Sequence, residues 1–316
     1  LVVNPAARAV KHRYLSDRPF WHRYVPEALV RLPRTLEELD EAVARFHEVG
    51  VRVLAVLGGD GSLHRLVDAV LRRYAEGDAP MVLALAGGTM NGLARALGTG
   101  GPPEKVLRAI VAALAVGAPS VHSVHVLRVA DRDGPTRYGF SFATGLVYRA
   151  FQDYYRVPEP GIRDAVRASL LPLKAALFGG SFYEDIHLAV RSEGTPWMPE
   201  PPHTLVASVL DKPLLWFRPF GPPLGDAPAF HLAATSMRPG EIATRLWSIF
   251  RGRCRHPRLR VGRSREATVR GQTGYLIDGD LYSGGGAVEV RLSLGPRLQF
   301  LVPAPRPGRG GVALLQ

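Results

Sequence analysis

Along the chain, apolar residues gather first in unbroken runs and only later in alternation. "LVV" at 1–3, "ALV" at 28–30, "VRVLAVL" at 51–57 and "MVLALA" at 81–86 have the length of strands, and their continuity predicts strands buried on both faces. Between the runs the apolar positions take helical spacing. "TLEELDEAVARFHEV" at 35–49 predicts a helix with Thr35 as N-cap and Glu38, three residues on, completing a capping box. Segments 62–75 and 103–117 predict two further helices. Strand, helix, strand, helix calls for a parallel sheet with helices on its faces.

From about Ser120 the pattern changes. "SVHSVHVLRVA", a turn at "DRDGP" and "TRYGFSFATG" predict an antiparallel hairpin. Short segments at 183–191, 203–210, 229–236, 258–270 and 287–302 predict more strands, interrupted by helices around 162–178 and 241–250. The expected architecture is therefore α/β: a parallel-sheet domain over 1–119 and a mainly antiparallel domain over 120–296, divided at "GAPS". A length of 316 residues suits two domains of about 100–200 residues each. "PAPRPGRGG" near the end reads as a loose tail.

Candidate chemistry lies where the strand runs stop. The run at 51–57 passes through Gly58, Gly59, Asp60, Gly61 and Ser62 into a helix, where bare backbone N–H groups and the positive end of a helix dipole meet an anion, most often phosphate. The same glycines equally suit a tight turn that needs positive φ. No Gly-Lys pair occurs, which removes the P-loop, and Ser-Leu-His after Gly61 fails the dinucleotide fingerprint. The run at 81–86 enters a second loop of this kind, "GGTMNGLARALG" at 87–98. If the two strands are neighbours, both loops face one crevice at their carboxyl ends. "LVVNPAAR" supplies a third strand end, at Asn4-Pro5. "GYLIDGDLY" at 274–282 supplies two acids, Asp278 and Asp280, one residue apart on a strand end or turn. A paired set suits phosphoryl transfer, with one acid as base and one or two on magnesium; an Asp-Gly turn is the plainer reading.

"NP", "GGDGS", "GGTMNGLAR" and "IDGD", in this order, resemble the diacylglycerol kinase catalytic-domain superfamily, which includes bacterial diacylglycerol and YegS-like lipid kinases and the sphingosine kinases. The resemblance runs from the Asn-Pro strand to the closing "LQFLVP". It implies an N-terminal α/β domain of phosphofructokinase and NAD kinase type, a C-terminal β-sandwich domain that takes the lipid, and an ATP site in the cleft between them. A return of the final strand, 297–316, to the first domain is part of that expectation. Position by position it implies that Gly58, Gly59, Asp60, Gly61 and Ser62 hold nucleotide phosphate, that Gly88, Thr89 and Asn91 form the second loop, and that Asn4 and Thr35 lie near the nucleotide. Asp278 is implied as catalytic acid or base with Asp60 as second choice, and Asp280 with Asp278 as magnesium ligands. Ser62 stands where threonine is usual, Gly92 where many bacterial members have aspartate, and Asp280 where glutamate is usual. The expected reaction is transfer of the ATP γ-phosphoryl group to a hydroxyl of a lipid alcohol, diacylglycerol-like or sphingoid. Two alternatives stand beside it: a binding module of the same fold with impaired catalysis, and an NAD kinase-like enzyme with a soluble substrate.

Charge adds a partner class. Forty basic against 28 acidic residues give +12, with only four lysines among the bases. Such an excess suits nucleotide phosphates, nucleic acid or an anionic lipid surface, or records a GC-biased genome. No nucleic-acid motif is present, so nucleic acid is not expected. "LLWFRPFGPPLG" at 214–225 joins Trp216, Phe217 and Phe220 to Arg218, the mix of a loop that dips into a lipid interface, and "AVRASLLPLKAALFGG" at 165–180 is a candidate acyl-chain wall; both also read as ordinary core. No apolar stretch approaches the ~20 residues of a membrane span. The opening residues predict no secretory signal, and the single cysteine, Cys254, fits a reducing compartment. The expected location is cytoplasmic and peripheral to a membrane.

Overall fold

The computed structural model describes residues 1–15, 19–155, 186–211, 220–224, 227–282 and 288–304. The expected helix at 162–178, the segment 165–180, Trp216, Phe217, Arg218 and the tail from residue 305 lie outside these. The chain divides into two compact units, one of Leu1–His125 completed by the chain from Pro296, the other of Val126–Gly295.

In the first unit, β1 (Val2–Val3), β2 (Val53–Gly58) and β3 (Met81–Ala86) lie side by side and parallel, from Val2 opposite Val56 to Gly58 opposite Ala86. Most of β2 and β3 is buried, as unbroken apolar runs require. Three helices cover them: α1 (Leu36–Glu48), α2 (Asp60–Arg73) and, after the one-turn α3 (Gly92–Ala96), α4 (Pro103–Ala115). Each buries one stripe at helical spacing, such as Leu39, Ala42, Val43 and Phe46 of α1. Val106, Leu107 and Ile110 of α4 join the core of Leu57, Leu83, Leu85 and Trp21, each large side chain adding roughly 1.5–3 kcal/mol.

Residues 28–30 are not a strand. Pro26 starts a 3-10 turn over Glu27–Leu29, and sheet pairing follows at a single bridge, Arg31 beside Val2. Proline's fixed φ favours the turn over an apolar run too short to hold a ladder.

Strand β4 (Ser120–Asp131) leads into the second unit, where β5 (Arg137–Gly139) folds back on it, Leu127 opposite Gly139. The expected hairpin ends there. Phe140 breaks "TRYGFSFATG", and β6 (Ser141–Gly145) joins a different sheet. α5 (Leu146–Tyr155), which the pattern did not suggest, follows. Then come β7 (Ala189–Ser192), β8 (Thr195–Pro196), β9 (Thr204–Ser208), β10 (Phe230–Thr235), α6 (Pro239–Phe250), β11 (Leu259–Ser264), β12 (Glu266–Gly271), β13 (Tyr275–Ile277), β14 (Asp280–Tyr282) and β15 (Val288–Val302). One antiparallel sheet has the order β11, β10, β9, β6, β13, β14. The other includes β7, β12 and the first half of β15. Phe142, Leu205 and Phe230 of the former meet Val190, Val269 and Leu292 of the latter in one core, so the unit is a sandwich. Phe220 is part of this unit's interior rather than a lipid probe, stacked on His231 at 4.6 Å between ring centres. β15 ends in the first unit, Phe300 lying parallel beside Val82 of β3.

Candidate active site

Three of the sequence motifs meet in the first unit. Asn4 donates from Nδ2 to Ser62 Oγ at 2.8 Å, and its backbone N–H bonds to the Leu57 carbonyl. Ala9 N–H reaches the Gly87 carbonyl, and Gly87 N–H reaches that of Gly58 at 2.7 Å. The Asn-Pro turn and both glycine loops thus form one hydrogen-bonded body at the carboxyl ends of β1, β2 and β3.

Glycine is needed there because backbone packs on backbone. A Cβ at Gly88 would stand 2.4 Å from Gly59 Cα, and one at Gly87 would stand 2.9 Å from a Val10 methyl and 3.0 Å from Gly58 N. The loops exclude side chains first for one another's sake.

Asp60 is the stitch. Oδ2 accepts from Gly92 N–H at 2.9 Å and Oδ1 from Leu93 N–H at 2.8 Å, so the carboxylate caps α3 from another loop and satisfies amides that a helix start leaves without intrahelical partners. With one hydrogen bond on each oxygen, this carboxylate ties the first loop to the second. Asn91 completes the loop. It sits at a left-handed φ of 51°, accepts from Gly88 N–H at 2.8 Å and donates to the Gly88 carbonyl at 2.9 Å. Thr89 lies half-buried between Gly88 and Asn91.

What remains for an anion is the first turn of α2. Gly59 is its N-cap in extended backbone, and the amides of Asp60, Gly61 and Ser62 precede the first intrahelical acceptor, since Leu63 N–H is the first to bond back, to Gly59. The donor set fits a phosphate.

Thr35 stands in α1 as the pattern predicts. Oγ1 accepts from Glu38 N–H at 3.2 Å, while the reciprocal bond falls one residue early, from Arg34 N–H to Glu38 Oε2 at 2.6 Å. Thr35→Ala is expected to lower the unit's unfolding free energy by about 1 kcal/mol, read by urea denaturation. A weakened ATP affinity beyond that would show a nucleotide role as well.

The fourth motif lies in the second unit. β13 and β14 form a hairpin whose two turn residues, Asp278 and Gly279, have φ of 51° and 95°, the signature of a type I′ turn. The two acids thus lie on a turn, Asp278 at its first position and Asp280 just after it. Asp278 is turned to the strand break at Phe140. Oδ1 accepts from Ser141 N–H and Ser141 Oγ, both at 2.8 Å, and from Phe140 N–H at 3.2 Å; Oδ2 accepts from Phe140 N–H at 2.9 Å. Two amides at the crossing between sheets are satisfied by this one carboxylate. Asp280, half-buried, opens β14 opposite Ile277.

The hairpin is stiffened by aromatic stacking. Tyr275 lies between Phe142 and Tyr282, 5.4 Å from each, and Arg137 covers Tyr282 at 4.4 Å. Tyr275 donates to Asp131 at 2.8 Å, and burial, followed by that bond, pushes its hydroxyl well above the usual phenol range, so it stays a neutral donor. Among the described residues no cluster of three or more His, Cys, Asp or Glu side chains could hold a metal alone.

Residues 1–121 match the family described as the diacylglycerol kinase catalytic domain. The match spans 121 of the 316 residues, so the first part of the chain is similar to that catalytic domain. All three motifs of the glycine-loop body lie inside the matched segment. No curated protein matches the chain in sequence. The fold resembles that of two proteins of Bacillus anthracis str. Sterne, a candidate diacylglycerol kinase (TM-score 0.64) and a diacylglycerol kinase (TM-score 0.59), each at 12% identity over 95% of both chains. The matched segment is a likeness to a kinase catalytic domain, and the acceptor is left to be argued.

Proposed function

We propose that this protein is an ATP-dependent lipid kinase that transfers the γ-phosphoryl group of ATP to a hydroxyl of a lipid alcohol, diacylglycerol-like or sphingoid. The observation that carries the reading is the welded pair of glycine loops at the end of a parallel sheet, with the start of a fourteen-residue helix beside them as an anion site.

In this reading the α2 amides, the Ser62 hydroxyl and the second loop with Thr89 hold the polyphosphate. Asn4 fixes the Ser62 hydroxyl, and Asp60 and Asn91 hold the loops so that little reorganisation accompanies reaction. Magnesium, when bound, would supply positive charge to the phosphate oxygens; needing only one or two carboxylates besides phosphate, it does not require a larger acidic cluster than the described residues offer. Asp278 and Asp280 keep the roles the resemblance implies, proton acceptor for the substrate hydroxyl and magnesium ligands. The four hydrogen bonds at Asp278 fix its orientation, as a group that must meet one hydroxyl requires.

The test is incubation with radiolabelled ATP, magnesium and a panel of diacylglycerol, sphingosine, ceramide and NAD. Label in a lipid supports the proposal, and label in NAD alone replaces it by the soluble-substrate reading. ATP binding without label in any acceptor points to a binding module.

A further inference from the structure

The arginine excess is not spread evenly. From Ile242 to Arg265 the sequence holds eight arginines and no acid, two-thirds of the net charge of the whole chain in 24 residues. The structure sorts these arginines into two groups. Arg258, Arg260 and Arg263 are engaged within their own unit: Arg258 faces Glu200 and Glu241 at 3.6 and 3.5 Å, Arg260 lies over Trp197 at 4.3 Å, and Arg263 donates to the Pro223 carbonyl. Arg265, exposed, has its backbone N–H on Glu193.

Arg245, Arg251, Arg253 and Arg255 form the other group. All four are exposed, and none makes an ion pair with a described residue. Trp247, 69% exposed on the outer face of α6, lies among them in sequence, with the Arg251 guanidinium 4.3 Å above its ring four residues on. α6 is anchored by Ile242 on its inner side, while Leu246, Ile249 and Phe250 are only partly covered. The acids nearest in sequence and contact, Glu241 and Glu200, are turned to Arg258, with His256 also on Glu241 at 3.7 Å.

We propose that the outer face of α6 and the chain through Arg255 form a docking surface for an anionic phospholipid bilayer. The proposal rests on the lipid-kinase reading for its purpose, though not for its observations. Charge and apolar surface together choose the occupant. Unpaired guanidinium groups meet lipid phosphates, as they would nucleic-acid phosphates, but a large indole held outward beside partly exposed aliphatic side chains gains only where apolar depth lies just beneath the charged layer. Arginine stacked on tryptophan suits that boundary, since the guanidinium is weakly hydrated and remains charged. The loop 214–225, the sequence's own candidate for this task, has Phe220 inside the core.

Sedimentation with vesicles of phosphatidylglycerol mixed equally with phosphatidylcholine, without ATP, tests the surface. The protein should bind these vesicles, release them in high salt and ignore phosphatidylcholine alone. The combined variant Arg251→Gln, Arg253→Gln, Arg255→Gln should lose at least about tenfold in partition. Trp247→Ala should lose several-fold. Trp247→Phe should bind, yet lack a blue shift of tryptophan emission that the parent protein shows on vesicles. Circular dichroism checks that each variant is folded. Unchanged binding by the folded triple variant overturns the proposal, as does a stronger loss of binding to a DNA duplex than to vesicles. Phosphorylation of lipid in neutral detergent micelles is the separate measure of the enzyme. If every protein, parent included, fails there while the vesicle results hold, the lipid-kinase reading falls and the docking surface stands.

Discussion

Gly88→Ala is expected to abolish most ATP-dependent turnover, on the order of 100-fold, and to destabilise the first unit by about 3 kcal/mol. The added methyl would lie 2.4 Å from Gly59 Cα and 3.1 Å from both Gly59 N and Asn91 Oδ1. Backbone cannot rotate away as a flexible side chain would. Gly58 and Gly59 are tied by Gly87 N–H to the Gly58 carbonyl and by Leu63 N–H to the Gly59 carbonyl, so relief requires the loops to part and drags Asp60 from Gly92 and Leu93. The reverse change is the control. Alanine at Gly59, whose φ of −90° suits any residue, would place its Cβ 3.3 Å from Gly88 Cα, a contact that a few tenths of an ångström relieve. Urea denaturation and ATP titration of both variants should show a large effect at Gly88 and a small one at Gly59. Equal effects would mean that the loops do not meet as described.

Asp278→Asn should lower kcat by 100-fold or more and reduce the second unit's stability by about 3 kcal/mol. A carboxylate acting only as proton acceptor could become an amide without cost to folding. Here both oxygens accept backbone hydrogens, so either orientation of the amide sets an NH2 group against Phe140 or Ser141 N–H. Thermal unfolding reads the clamp, and kcat well below the midpoint reads the chemistry. ATP affinity should change less than twofold. An unshifted midpoint would remove the clamp, and an unshifted kcat would remove the role in proton transfer.

The sequence showed what local physics decides. Continuous burial wrote itself into 53–58 and 81–86, the cap of α1 into Thr35, and both glycine loops into their composition. It could not show what distant backbone does with a side chain. The hydrogen bonds that hold Asp60 come from amides 32 and 33 positions downstream, and those that hold Asp278 come from donors 137 and 138 positions upstream. The split of "TRYGFSFATG" at Phe140 is settled by that same long-range clamp, so alternation alone read it as one strand. At 28–30 the failure was local, Pro26 outweighing three apolar residues.

The final strand has a consequence for biosynthesis. β3 has β2 on one side and the Phe300 end of β15 on the other, so a nascent polypeptide must be translated through the whole second unit before its parallel sheet is closed. Until then Met81–Ala86 offers an open, oily edge to any neighbouring strand. A truncated transcript or a stalled ribosome would therefore release a species primed to aggregate rather than a closed first unit.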